Sequence, residues 1–535
     1  MNFGHLLDAT TAEAIGFAWL RDALAPVGPY GDAVFAECEP FVPGRERDAS
    51  ARAERVARLA ATFDDAQFDA IREVLRGAPD ANGAIARASM GDVLADTNFL
   101  ELLRFFDACE RLHMLAGASS DLPQVAGEDL RACARALGGG RAGRFGFYLD
   151  DAFDDALGNA RSVLAAAQAA YDAVSGRARA TVAEALGREI SSPEFIVMRT
   201  DLTGSLPPGV RVVREAPTYV LCELDADDDV LDALRRRDDA AANVARAEER
   251  VRGRLSAVIR EHAAALDDAA RAFGEADVLV AAARFARAYR CNVAAIVADG
   301  TLCFERGRFV PLERELAAQG RAFTPIDLRL DGVAVLTGPN MGGKSVALRT
   351  CGFIAVCAAY GLPVPAMRAE VTLFDAIAWL GISDGASEGD GLLSSFAREV
   401  VRLRDVLADP ARPRLILLDE FARTTTPREG KALLVAVLER LRADRTSGLA
   451  ATHLGGVAQA AGARHYAVRG LRGIPRRPAT DDLAQALETL AASMDYTLEE
   501  VTSERAREAD AIALAALLGV DEAVITAAHR ALERE

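Results

Sequence analysis

From residue 10 to residue 135 the apolar positions recur at helical spacing, most clearly over Ala53 to Leu75 and Asp92 to Leu115, with glycine and proline between these stretches. This texture predicts a helical first region, closed by a flexible joint at Gly138-Gly139-Gly140. An alanine-rich helix is predicted from Asp151 to Glu189. The period then shortens: Glu194 to Met198 and Val210 to Leu224 read as strands around the turn Gly204 to Gly209. A second long helix is predicted over roughly Asp229 to Phe273. There Val244, Val251 and Val258 step by seven, and Leu255 and His262 continue the stripe as a partial heptad seam. Two long helices bracketing a small β-rich tip make an arm. Beyond Cys291 the apolar runs Val333 to Leu336, Leu415 to Leu418 and Gly448 to Ala451 alternate with helical segments, as in a parallel sheet with crossover helices.

The predicted fold class is therefore multidomain α plus α/β. A helical core spans residues 1–150, and lever helices with a β-rich tip at about 193–225 span residues 151–275. An α/β domain of the P-loop, ABC-like kind spans residues 285–535, with a helical segment at its end.

Composition changes this picture in three places. The net charge of −17 and pI of about 5.0 argue against coating of nucleic acid by the whole surface, though a local basic groove can sit on an acidic chain. The eight cysteines form no C-x-x-C pair, which indicates neither a zinc site nor a disulfide framework and suggests a reduced, cytoplasmic setting. No leader and no membrane span is expected. Only two of the 62 basic residues are lysines, Lys344 and Lys431, so a lysine inside a glycine-rich loop stands out against an arginine background.

That loop, Gly338-Pro339-Asn340-Met341-Gly342-Gly343-Lys344-Ser345, fits G-x-x-x-x-G-K-[ST] and lies between an apolar strand and the predicted helix Val346 to Ala359. The pattern predicts an ATP site. The glycines let the backbone wrap phosphates, Lys344 reaches the outer phosphate oxygens, and the Ser345 hydroxyl coordinates Mg2+. In Leu415-Ile416-Leu417-Leu418-Asp419-Glu420 a buried strand ends in two acids. Asp419 is expected to hold magnesium and Glu420 to orient the attacking water as base. A further apolar strand ends in Thr452-His453, where His453 is placed to sense the terminal phosphate.

These residues resemble the MutS family of mismatch-repair ATPases. LTGPNMGGKS (336–345) resembles that family's Walker A, LILLDEFARTTT (415–426) its Walker B and following loop, and ATH (451–453) its histidine loop. Leu393 to Glu399 is similar to the segment whose serine contacts ATP bound by the other subunit, which assigns that role to Ser394. Arg321 to Pro325 occupies the place where the family stacks a phenylalanine on adenine, which points to Phe323. The resemblance implies a homodimer with composite ATP sites. More weakly, residues 14–115 are similar to the helical core, residues 151–273 to the levers and DNA clamp, and Leu517 to Ala528 to the segment that closes the dimer.

The departures matter as well. The mismatch-reading domain and the nuclease domain of one branch are expected to be missing. The loop from Ser383 to Leu393 is longer than usual, and Thr424-Thr425 stands where Gly-Thr is expected. The tip offers Arg199, Arg211 and Arg214 among Glu194, Asp201, Glu215 and Glu223, a sparse set for phosphates. Two functions fit the resemblance. One is an ATP-driven dimeric clamp on mismatched or branched DNA. The other is the ATPase of a reactivating chaperone whose client is an adenosylcobalamin-dependent aminomutase.

Overall fold

The computed structural model describes all residues except 118, 139–140, 144–145, 203, 340–342, 382–394, 472–492, 502–511, 513–514, 516–519 and 533–535. Two residues of the Gly138 to Gly140 joint, and the first three of the 517–528 segment, thus lie outside the described residues, whereas Val524 to Ala528 lies in the helix Glu522–Leu532. The chain is a mixture of helices and several sheets, and it divides into two compact units. One comprises residues 1–76, 115–123 and 272–535, the other residues 77–114 and 124–271.

The first unit is organised by a six-stranded sheet. Its order is Ala376–Gly381, Arg414–Asp419, Ser447–Ala451, Val333–Thr337, Arg464–Leu471, Met494–Glu500. The first five strands run parallel and the last is antiparallel. Continuous apolar runs suit strands covered on both faces, and Leu415 to Leu418 and Ala334 to Leu336 are all buried. On one face Val335, Ile416, Leu418 and Ala450 pack with Leu434, Leu438 and Leu441 of the Pro427–Ala443 helix. The Lys344–Ala359 helix is buried on nearly every side. Gly352 allows its close approach, since a Cβ there would lie 2.5 Å from Ile15 Cγ2 and 3.2 Å from Leu417 Cδ1. A second sheet orders Ala295–Val297, Arg368–Thr372, Leu302–Gly307 and Ile326–Leu330.

The edge strand Ala376–Gly381 needs a cover, because unpaired edge N–H groups invite pairing with other chains. The chain's first residues supply it. Ile377 N donates to Leu6 O at 2.8 Å and Trp379 N to Thr11 Oγ1 at 3.0 Å. Arg402 donates Nε to Trp379 O at 2.7 Å and Nη2 to both Asp8 carboxylate oxygens at 2.9 Å. Residues 1–76 accordingly group with residues 115–123 and 272–535 in this unit.

In the second unit, the Asp155–Leu186 and Asp228–Glu261 helices pack together. Glu248 accepts from Arg161 at 2.9 Å, and the Arg237 guanidinium lies 4.9 Å over the Tyr171 ring. The buried seam of the second helix runs through Ala233, Ala240 and Ala247, a step of seven, and on to Val251, Leu255 and Ile259. Val244 and Val258, expected in the stripe, sit half-buried on its flanks because small alanines let the two backbones close in. The helix also ends earlier than its pattern predicts. His262 leaves helical geometry, its Nδ1 lies 2.8 Å from Asp129, and a separate helix runs from Ala263 to Ala288. The tip is a three-stranded antiparallel sheet, Glu194–Met198, Tyr219–Leu224 and Val210–Glu215 in that order. It buries Phe195, Val197, Val220 and Cys222 against Val182 and Ile190. All eight cysteines are free thiols, and five of them are buried.

Asp277 is one of the buried ionisable residues of the first unit. Its carboxylate accepts from Val27 N at 3.0 Å and Gly28 N at 2.8 Å, holding the start of the Pro29–Ala36 helix. Burial outweighs those hydrogen bonds and pushes its pKa up to about 6. The folded protein therefore takes up this proton at a higher pH than the unfolded chain, so the group's contribution to stability grows as pH falls from 7 towards 4. Asp277→Asn keeps one acceptor and removes the titration. Its stability relative to wild type should be greatest at pH 7 and decline by up to about 3 kcal/mol by pH 4, as measured by paired urea unfolding series.

Candidate functional site

The C-terminal ends of the central strands converge, and their loops are tied to one another. Glu420 N donates to Ala451 O and Thr452 N to Leu336 O, both at 3.0 Å, while Thr337 Oγ1 lies 2.8 Å from His465 Nε2. The loop Gly338 to Ser345 leaves the Val333–Thr337 strand here. Its Asn340, Met341 and Gly342 lie outside the described residues, as does Ser394. Gly343 caps the following helix at φ +83°, and the Tyr496 ring packs against it, 3.1 Å from where a Cβ would be. Gly338 lies under Val468, whose Cβ would be 2.9 Å from a side chain there.

Lys344 turns back into the loop. Its Nζ donates to Gly338 O at 3.0 Å and Pro339 O at 2.9 Å, and Glu420 Oε1 is 3.8 Å away. The side chain is only 5% exposed. Burial lowers its pKa, and the charges of Glu420 and Asp419 work against that shift. Ser345 Oγ donates to Asp419 Oδ1 at 3.0 Å. Burial raises the Asp419 pKa, opposed first by the Ser345 hydrogen bond. A cation and an oxygen pair are thus desolvated side by side at a helix N-terminus, a setting that suits phosphate oxygens and a hard divalent cation.

Glu420 adopts φ +51° and Ala422 φ +61°, both in the left-handed region. Glu420 Oε2 accepts from Arg423 Nη1 at 2.9 Å. A cavity of about 30 Å³ lies beside it, lined by Glu420, Arg423, Thr425, Thr452 and His453 among others, which is room for one or two waters. His453 is exposed on its wall. Phe323 is half-buried in the coil between the Val310–Ala318 helix and the Ile326–Leu330 strand, and does not line this cavity.

The structure therefore brings together Gly338, Pro339, Gly343, Lys344, Ser345, Asp419 and Glu420, with His453 lining the same cavity as Glu420. It also adds neighbours that motif reading passed over. Tyr496 comes from a strand about 150 residues further on, and no spacing rule links it to Gly343. Arg423 stood inside the matched segment but carried no assignment. Glu399, whose Oε2 accepts from Ala422 N at 3.0 Å, likewise ended the matched Leu393 to Glu399 segment without an assignment.

Gly343→Ala should force a left-handed alanine, at about 1–2 kcal/mol, and displace the Tyr496 ring. The expected outcome is a lower melting temperature, read by thermal melts.

Residues 334–534 match the family described as MutS domain V. The chain is 31% identical over 396 residues to the DNA mismatch repair protein MutS of Granulibacter bethesdensis, covering 69% of this chain and 41% of that protein. It is 32% identical over 213 residues to Endonuclease MutS2 of Pelotomaculum thermopropionicum, covering 39% and 26%. Over 184 residues it is 36% identical to Endonuclease MutS2 of Carboxydothermus hydrogenoformans, covering 34% and 22%. In each case the chain spans less than half the length of the relative.

Proposed function

Because the chain belongs to the MutS family, we propose that it is a magnesium-dependent ATPase that works as a cytoplasmic homodimer and acts on DNA. The observation that carries this reading is the convergence of Lys344, Ser345, Asp419 and Glu420 at the ends of adjacent strands. Magnesium bound with ATP supplies charge neutralisation at the phosphates. Ser345 Oγ and Asp419 would hold the ion, exchanging their mutual hydrogen bond for it. Lys344 would trade two backbone carbonyls for phosphate oxygens, and the backbone from Gly338 to Gly343 would wrap them. Glu420 would orient the attacking water in the adjoining cavity, with His453 facing the same space. Phe323 is assigned to the base and Ser394 to the partner subunit's nucleotide by family resemblance alone.

The relatives' names support DNA as the macromolecular partner. At the tip, however, the cations are already engaged. Arg199 pairs with Glu215 at 2.6 Å and Arg211 pairs with Glu223, leaving Arg214 without an ion pair among the described residues. Phosphate contact through the tip would thus need those pairs to open. Among the described residues no helix is long and apolar enough to cross a membrane. Neither the geometry nor the relatives' names supports the aminomutase-client alternative.

Lys344→Ala should abolish ATP binding. Glu420→Gln should keep binding and lose about 10²–10⁴-fold in turnover, as read by phosphate release beside nucleotide-binding titrations; wild-type turnover in that variant would remove Glu420 as base. Gel shifts with homoduplex, mismatched and branched DNA, with and without ATP, should show binding that weakens with salt. No binding at micromolar protein would sink the DNA reading.

A further inference from the structure

Both carboxylate oxygens of Glu420 face cations in this structure. One carboxylate oxygen accepts from Arg423 Nη1 at 2.9 Å, and the other faces the Lys344 ammonium at 3.8 Å. A carboxylate with one oxygen held by an arginine and the other turned to an ammonium is oriented by those cations and not by the water it would have to position. The Arg423 side chain is 52% exposed, so it is free to swing without leaving a hole in the core.

The second partner for that swing lies beneath the same loop. Glu399, in the Ser395–Ala408 helix, is only 7% exposed. Its Oε2 accepts from Ala422 N at 3.0 Å, while its Oε1 is buried with no hydrogen-bond partner among the described residues. A buried carboxylate oxygen left unmatched is costly to keep. It fits a group that receives a donor in another state of the loop. Arg423 directly follows Ala422, whose N–H already binds the other oxygen of Glu399, and its charge counters the burial that raises the Glu399 pKa. The two left-handed residues, Glu420 and Ala422, bracket the turn and give it a backbone in tension that a small rearrangement would relax.

We propose that Arg423 is a two-position latch: paired with Glu420 it holds the carboxylate idle, and moved to the free oxygen of Glu399 it releases Glu420 to act. Arg423 and Glu399 are positioning residues, and neither touches the nucleotide in this scheme. The proposal rests on the reading of Glu420 as the residue that orients water.

Steady-state ATP turnover of the full chain, with kcat and KM separated, tests it. Arg423→Gln removes the idle pairing, and kcat should rise roughly two- to fivefold, the scale of losing one exposed ion pair, with KM unchanged. Arg423→Lys keeps the charge and should return the slower rate. Glu399→Gln removes the second anchor, and kcat should fall while KM stays fixed. The double variant Arg423→Gln/Glu399→Gln should match Arg423→Gln alone, because without the arginine there is nothing to receive. A fall in kcat on Arg423→Gln, or a double variant equal to the product of the singles, overturns the latch. If Glu399→Gln lowers the melting temperature, the direction of the Arg423→Gln change still decides. Glu420→Gln separates the two levels: turnover at the wild-type rate there defeats the base assignment, whereas its loss combined with a slowed Arg423→Gln defeats the latch alone.

Discussion

The Lys344 ammonium lies almost entirely out of water, held by the two backbone carbonyls of Gly338 and Pro339 with a carboxylate only at 3.8 Å. Such a charge is tolerable only where the surroundings are fixed, since an unpaired ion in low dielectric is costly. Much of the first unit can be understood as that fixing. Parallel strands buried on both faces set the positions of Lys344, Ser345, Asp419 and Glu420. The Lys344–Ala359 helix is pinned against Leu417 and Ile15 through the gap at Gly352. Tyr496 and Val468 close over the two outer glycines of the loop.

The same constraint explains why the chain's beginning belongs with its end. A sheet whose strand ends carry desolvated charge must not slip or pair with another chain at its edge. Leu6, Asp8 and Thr11 satisfy the Ala376–Gly381 edge directly and through Arg402. The alanine-lined helix pair of the second unit answers a different demand: small side chains allow close backbone approach, and Arg161–Glu248 and Arg237–Tyr171 secure it at the surface.

Around Glu420 the structure is less settled. Two left-handed residues, a half-exposed arginine and a buried carboxylate oxygen without a partner among the described residues occur within one short loop and the helix beside it. Local strain and an unmatched donor–acceptor balance are features of segments that change state.

Much of this protein was legible in its sequence because the relevant physics is local. A glycine-rich loop after an apolar run specifies a strand, a turn and a helix N-terminus in one stretch, so Gly338 to Ser345 and Leu415 to Glu420 declare their elements and chemistry together. Period-two alternation likewise marked Glu194 to Met198 as a half-buried strand. The seam of the second long helix was only partly legible, since valine draws attention in a pattern while alanine does the packing at Ala233, Ala240 and Ala247. What the sequence alone determined was the identity of the loop and its acids. Tertiary structure alone decided which distant residues complete them: Tyr496 over Gly343, Leu6 and Thr11 on the sheet edge, and Glu399 beneath Ala422. Those contacts join positions tens to hundreds of residues apart, where no periodicity or spacing carries information and only the closing of the chain into a sheet brings the groups within bonding distance.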